Sequence, residues 1–117
     1  MIDELMRCRG WIEAAMEHGT GTHIFEDIVA AVVQGKMQLW STPNACAITE
    51  IVLYPRKKVL HVFLAGGDMK EILPRIEDVA QWGASQGCTA MTMAGRKGWK
   101  RVLKNWKWTM NVMERSI

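Results

Sequence analysis

The chain has 117 residues, 49% of them apolar and 23% charged, a length and balance that allow one hydrophobic core and exclude both a two-domain protein and a disordered one. No apolar run approaches the roughly 18–20 residues that cross a bilayer, and the opening Met1-Ile2-Asp3-Glu4 is acidic where a signal peptide is basic, so the expected location is the cytoplasm and no membrane partner is expected. The net charge of +3 is unevenly spread: residues 1–88 hold 8 basic and 11 acidic side chains, whereas residues 89–117 hold 7 basic and one acidic, which makes the C-terminal quarter a cationic surface.

In chain order, Leu5, Cys8, Trp11, Ile12, Ala15 and Met16 recur at three- and four-residue spacing and predict a helix over residues 3–17, ended by Gly19 and Gly21. Thr22 is placed to cap a second helix whose first turn carries Glu26 and Asp27 and whose inner face is Phe25, Ile28, Val29 and Val32, with Gly35 as its stop. From Met37 the period changes. Residues 37–41, 45–54 and 58–65 read as strands separated by Thr42-Pro43-Asn44 and Pro55-Arg56-Lys57, and such short connections imply an antiparallel meander. Residues 59–65 are apolar on both faces apart from His61, as in a central strand.

Gly66-Gly67-Asp68 ends that strand. Met69, Ile72, Leu73, Ile76, Val79 and Ala80 then mark a helix to about Gln86, which Pro74 kinks or delays. Residues 88–94 form a further buried strand, parallel to the previous one if the two are neighbours. A short helix over residues 97–105 follows, with Trp99, Val102, Leu103 and Trp106 on one side, and the alternation of Trp106, Trp108, Met110 and Val112 with polar residues predicts a last strand. The fold class is therefore α/β in the broad sense, α+β in the narrower one. It is a mixed, mostly antiparallel sheet flanked by helices, in the order α-α-β-β-β-α-β-α-β, within a single domain over residues 1–117.

Cys8, Cys46 and Cys88 are odd in number, far apart and without nearby paired histidines, which argues against a disulfide framework and a zinc site and for buried thiols. Glu50 lies inside an apolar strand, where a charge needs a partner or an outlet to solvent. It is the first candidate for a general base. If Tyr54 pairs with Val59, Glu50 and His61 fall diagonally adjacent on one face and can share a proton; a one-residue slip puts them on opposite faces. Arg96, Lys97, Lys100, Arg101 and Lys104 gather at the last helix among Trp99 and Trp106, a face suited to phosphates of a cofactor or of nucleic acid, or to an acidic protein. The bland alternative makes the tryptophans core and the cations a solvated face.

The element order resembles the GNAT (GCN5-related N-acetyltransferase) fold from its first helix onward. The stretches His23-Ile-Phe-Glu-Asp-Ile28, Gln38-Leu-Trp40, Thr49-Glu50, Tyr54-Pro-Arg56, Ala65-Gly-Gly-Asp68 and Gly95-Arg-Lys-Gly-Trp99 resemble a family of small GNAT-like proteins encoded by tailed bacteriophages. The resemblance implies an acetyl-CoA site in the wedge between the strands at 59–65 and 88–94, with Ala65, Gly66, Gly67, Asp68, Met69 and Arg96 as cofactor-binding residues; the catalytic candidates, Glu50 and His61, come from their place in the strands, and no metal is expected. This sequence departs from the superfamily's phosphate-loop pattern, keeping only Gly66-Gly67 and adding Asp68, and its last helix lacks the tyrosine that serves many such enzymes as general acid. Two functions follow from the resemblance: a cofactor-free scaffold acting in the virion or in particle assembly, and an acetyl-CoA-dependent N-acyltransferase. The resemblance adds a phage structural protein as partner and the host cytoplasm or the virion as location. Independently of it, six tryptophans and nine methionines suit association with a second copy of the chain, and the basic C-terminal helix makes nucleic-acid binding a third function.

Overall fold

A computed structural model describes residues 1–117 apart from Thr20, Arg96 and Lys97. Helix α1 spans Ile2–Met16 and α2 Phe25–Val33; strands β1 (Met37–Thr42), β2 (Ala45–Tyr54) and β3 (Lys57–Gly67) follow. A helical turn α3 (Met69–Ile72) passes through a tight 3-10 turn at Leu73–Arg75 into α4 (Ile76–Ser85), then β4 (Ala90–Met93) and a single turn α5 (Trp99–Val102). Pro74 sits in the 3-10 turn, where its missing N–H and fixed φ divide the predicted long helix in two.

The sheet order is β1-β2-β3-β4. β1, β2 and β3 form an antiparallel meander and β4 lies parallel to β3 across the α3–α4 crossover, so the sheet is mixed. Side chains of β2 alternate between two layers. Cys46 and Ile48 join Leu5, Cys8 and Ile12 of α1 and Phe25, Ile28 and Val32 of α2 in the larger core, whereas Ala45 and Ala47 face Ile72 and Met69 of α3. Thr49 is fully buried on the α3–α4 side, and its hydroxyl is satisfied by the Trp40 indole N–H at 2.9 Å and by Gln38 Oε1 at 2.8 Å.

Three expectations change. Thr22 does not cap α2: its hydroxyl bonds to His23 Nδ1 at 2.6 Å, and Asp27 reaches back to accept from the Ile24 N–H at 2.9 Å instead. A third-position carboxylate can satisfy the N-terminal donors as well as a capping hydroxyl. The helix expected over residues 97–105 is only one turn, because Leu103, 8% exposed, leaves helical geometry at φ −97°, ψ 66° to enter the core. Finally, no strand forms over residues 106–112. Alternation makes a strand only where a partner supplies the ladder; β4 is four residues long, and the Trp106 ring is drawn into the layer beside Met91 and Trp99. The residues after it stay out, with Trp108, Met110 and Val112 at 49%, 70% and 79% exposure.

Candidate functional site

A two-residue turn at Pro55-Arg56 pairs Tyr54 with Lys57, two positions closer to the turn than the sequence-based expectation. The consequence is a direct rather than diagonal pairing of Glu50 with His61. In the parallel ladder His61 is in turn opposite Thr92, so Glu50, His61 and Thr92 form one row across β2, β3 and β4. Thr92 Oγ1 and His61 Nδ1 are 2.8 Å apart. Partial burial holds the His61 imidazole below its ordinary pKa, and the Glu50 carboxylate opposes that shift. The row thus presents a carboxylate, an imidazole and a hydroxyl side by side, the residue types needed to hold and move a proton.

Thr92 was not legible as a site residue in the sequence, because its bond to His61 depends on a parallel register that no local signal encodes. His61 and Thr92 of the row, though not Glu50, line a groove of about 550 Å³ between the β3–β4 edge and the C-terminal segment, together with Tyr54, Trp99, Lys100 and Trp108 among others. That volume is in the ordinary range for a ligand site, about 300–1,000 Å³.

Ala65, Gly66, Gly67, Asp68 and Met69, expected to bind cofactor, lie elsewhere, at and just beyond the C-terminal end of β3. A bulge at Phe63 shifts the β2–β3 register between Thr49 and Ile48, and β4 follows β3 only from Val59 to Val62, so β3 runs on alone on that side to Gly67. Where the β3–β4 pairing ends, Val62, Ala65, Met91, Met93, Trp99 and Trp106 help line a space of only about 30 Å³, on the scale of one water molecule. Gly66 and Gly67 belong to β3 and pair with Cys46 and Ala45. A Cβ on Gly66 would lie 2.6 Å from the Trp11 carbonyl oxygen of α1; one on Gly67, at φ +92°, would lie 2.3 Å from that of Asn44. Both glycines are required by close backbone crossings.

The donors of this turn are committed as well. The Asp68 N–H donates to Asn44 O at 2.9 Å, and the Asp68 carboxylate accepts from the Lys70 N–H at 3.0 Å, capping α3. Glu71 accepts from the Asn44 N–H at 2.8 Å and from Asn44 Nδ2 at 2.7 Å. The neighbouring Thr42 hydroxyl and the bonds from Asn44 hold its carboxyl below the usual range. Ala65 is half-buried against Ile72 and Met69. Arg96 lies outside the described residues. Among the described residues, the expected catalytic and cofactor residues are therefore two separate groups along the β2–β3 pair. Among the described residues no cluster of histidine, cysteine and carboxylate side chains could hold a metal ion, and no helix is long and apolar enough to cross a membrane.

This architecture defines an α+β protein with a four-stranded mixed sheet. In three dimensions the chain is similar to BH1408 from Bacillus halodurans, solved as a tetramutant, with a TM-score of 0.58, 15% identity, and coverage of 82% of this chain and 76% of that one. It is also similar to TTHA1254 from Thermus thermophilus, solved as a single-site mutant, with a TM-score of 0.55, 13% identity and coverage of 86% and 82%. At these identities the likeness concerns the fold alone. In sequence, the chain matches no protein-family model and no curated protein.

Proposed function

We propose that this chain is a GNAT-like module that works without a cofactor, as a binding scaffold in the virion or in the assembly of a phage particle. The observation that carries this reading is the state of the β3–α3 turn. A pyrophosphate needs free N–H groups at a helix N-terminus, and here the Asp68 carboxylate occupies that position and the Asp68 N–H is spent on Asn44. The narrow space at the end of the β3–β4 pairing supports it further, since the tryptophan and methionine side chains lining it leave little room for a pantetheine arm. Unburied apolar residues in the last part of the chain, Met110, Val112 and Met113 above all, suit a protein that docks onto another surface.

The test is calorimetric titration of the folded protein with acetyl-CoA, in parallel with an Asp68→Asn variant. No heat is expected at millimolar ligand for either, because the variant frees neither the Asn44 contact nor the strand wedge. Micromolar binding by the unmodified protein would overturn the reading. Gly67→Glu is unsuitable as a blocking control, since any side chain there meets the Asn44 backbone.

The Glu50–His61–Thr92 row favours a second reading, N-acyl transfer with Glu50 or His61 as the base that deprotonates an acceptor amine. It needs the cofactor binding that the same titration measures, followed by loss of turnover in Glu50→Gln.

A further inference from the structure

We infer that the groove between the β3–β4 edge and the C-terminal segment binds single-stranded nucleic acid, with a base on Trp108 and phosphates on its lysines. From Val79 to Met113 the sequence holds six cationic side chains, Arg96, Lys97, Lys100, Arg101, Lys104 and Lys107, and no acidic one. Tryptophans at 99, 106 and 108 are interleaved with these cations. Charge alone would be a solvated face. The structure adds a groove of ligand size with Lys100 and Lys107 in its lining, and a Trp108 ring that is 49% exposed.

Lys100 Nζ stands over one face of that ring, 5.9 Å from its centroid, so a phosphate partner lies on one side of the indole and a base would stack on the other. On the opposite side of the groove Tyr54, His61 and Thr92 supply hydroxyl and imidazole groups, which can bond to the edge of a base lying on the ring. A duplex keeps its bases stacked inside and presents no face to Trp108; a single strand does.

The inference deepens the cofactor-free reading and rests on it, because it assigns the cationic quarter to a partner rather than to the phosphates of CoA. The probe is a 5′-labelled 15-nucleotide oligo-dT, followed by fluorescence anisotropy between 50 and 200 mM salt. If about four phosphates are neutralised, affinity should fall roughly 50-fold across that range, at a slope of about 0.7 per phosphate. Trp108→Ala should weaken binding about tenfold at fixed salt, and Lys100→Glu with Lys107→Glu should abolish it, while circular dichroism shows each variant folded.

Absence of binding at 50 mM salt, equal affinity for a duplex of the same length, or full affinity in folded Trp108→Ala would each overturn the proposal. Acetyl-CoA serves as a competitor in the same assay. Displacement of the oligonucleotide by micromolar acetyl-CoA would sink both this proposal and the cofactor-free reading, whereas acetyl-CoA binding without displacement would sink only the latter.

Discussion

Cys8 and Cys46 are fully buried and adjacent, one on α1 and one on β2, while Cys88 is partly exposed. Burial, reinforced by the neighbouring Cys8 thiol, pushes Cys46 up to about 12, and burial raises Cys8 as well. Only a thiolate reacts quickly with an aromatic disulfide reagent. One thiol per chain is therefore expected to react in the native protein, and all three after unfolding in guanidinium. Rapid release of more than one equivalent from native protein would contradict the packing of α1 on β2. The sequence-based expectation of buried thiols holds for two of the three; Cys88 differs because the chain after Gly87 joins the sheet only at Ala90. Glu50 and His61 were legible as a candidate pair because a charge and an imidazole stand out in apolar strands, whereas the commitment of Asp68 was not, since its partner Asn44 belongs to a distant turn.

The same two glycines that suggested a phosphate loop act as spacers between elements. Gly66→Ala places a methyl group 2.6 Å from the Trp11 carbonyl oxygen, a contact with backbone that no rotamer change relieves. The expected cost is about 2 kcal/mol or more, read as a lowered midpoint in urea. Gly10, by contrast, sits within α1 with nothing within 4 Å of an added methyl, and Gly10→Ala should stabilise the protein by about 0.5–1 kcal/mol through helix propensity. A reversal of these signs would mean that α1 does not cross β3 where described. Strand limits were legible because Pro43-Asn44 and Pro55-Arg56 punctuate the meander. The last strand was misread because periodicity reports which residues could share a face, and only a free ladder of adequate length turns that into a strand.

For the molecule as a whole, the β1–β2 turn is where the two layers are tied together. From one side, Arg7 of α1 donates to the carbonyls of Thr42 at 2.8 Å and Pro43 at 2.9 Å, and is paired with Glu4, which accepts from Ser41 Oγ at 2.8 Å. From the other, Glu71 grips Asn44. The hydrogen bonds from Arg7 and Ser41 lower Glu4 from 4.5 to about 2. A carboxyl with a depressed folded-state pKa stabilises the protein fully above its unfolded value and ceases to do so as the pH falls through the folded value. The advantage of the unmodified protein over Glu4→Gln should therefore be complete above pH 4.5 and vanish by about pH 2, as followed by thermal midpoints across that range. A difference that persisted unchanged at pH 2 would show that the clamp does not act through the Glu4 charge.

Every residue of the larger core lies between Leu5 and Leu64, and the meander that carries it is joined by turns of two residues between paired strand ends. The crossover, β4 and the cationic segment all come afterwards in the chain. Synthesis runs from the N-terminus and folding follows it, so this core is complete in sequence before the groove-forming segment is made. The part of the molecule that would meet a partner is thus made later, and it is added to a body whose main layer has already had the chance to fold.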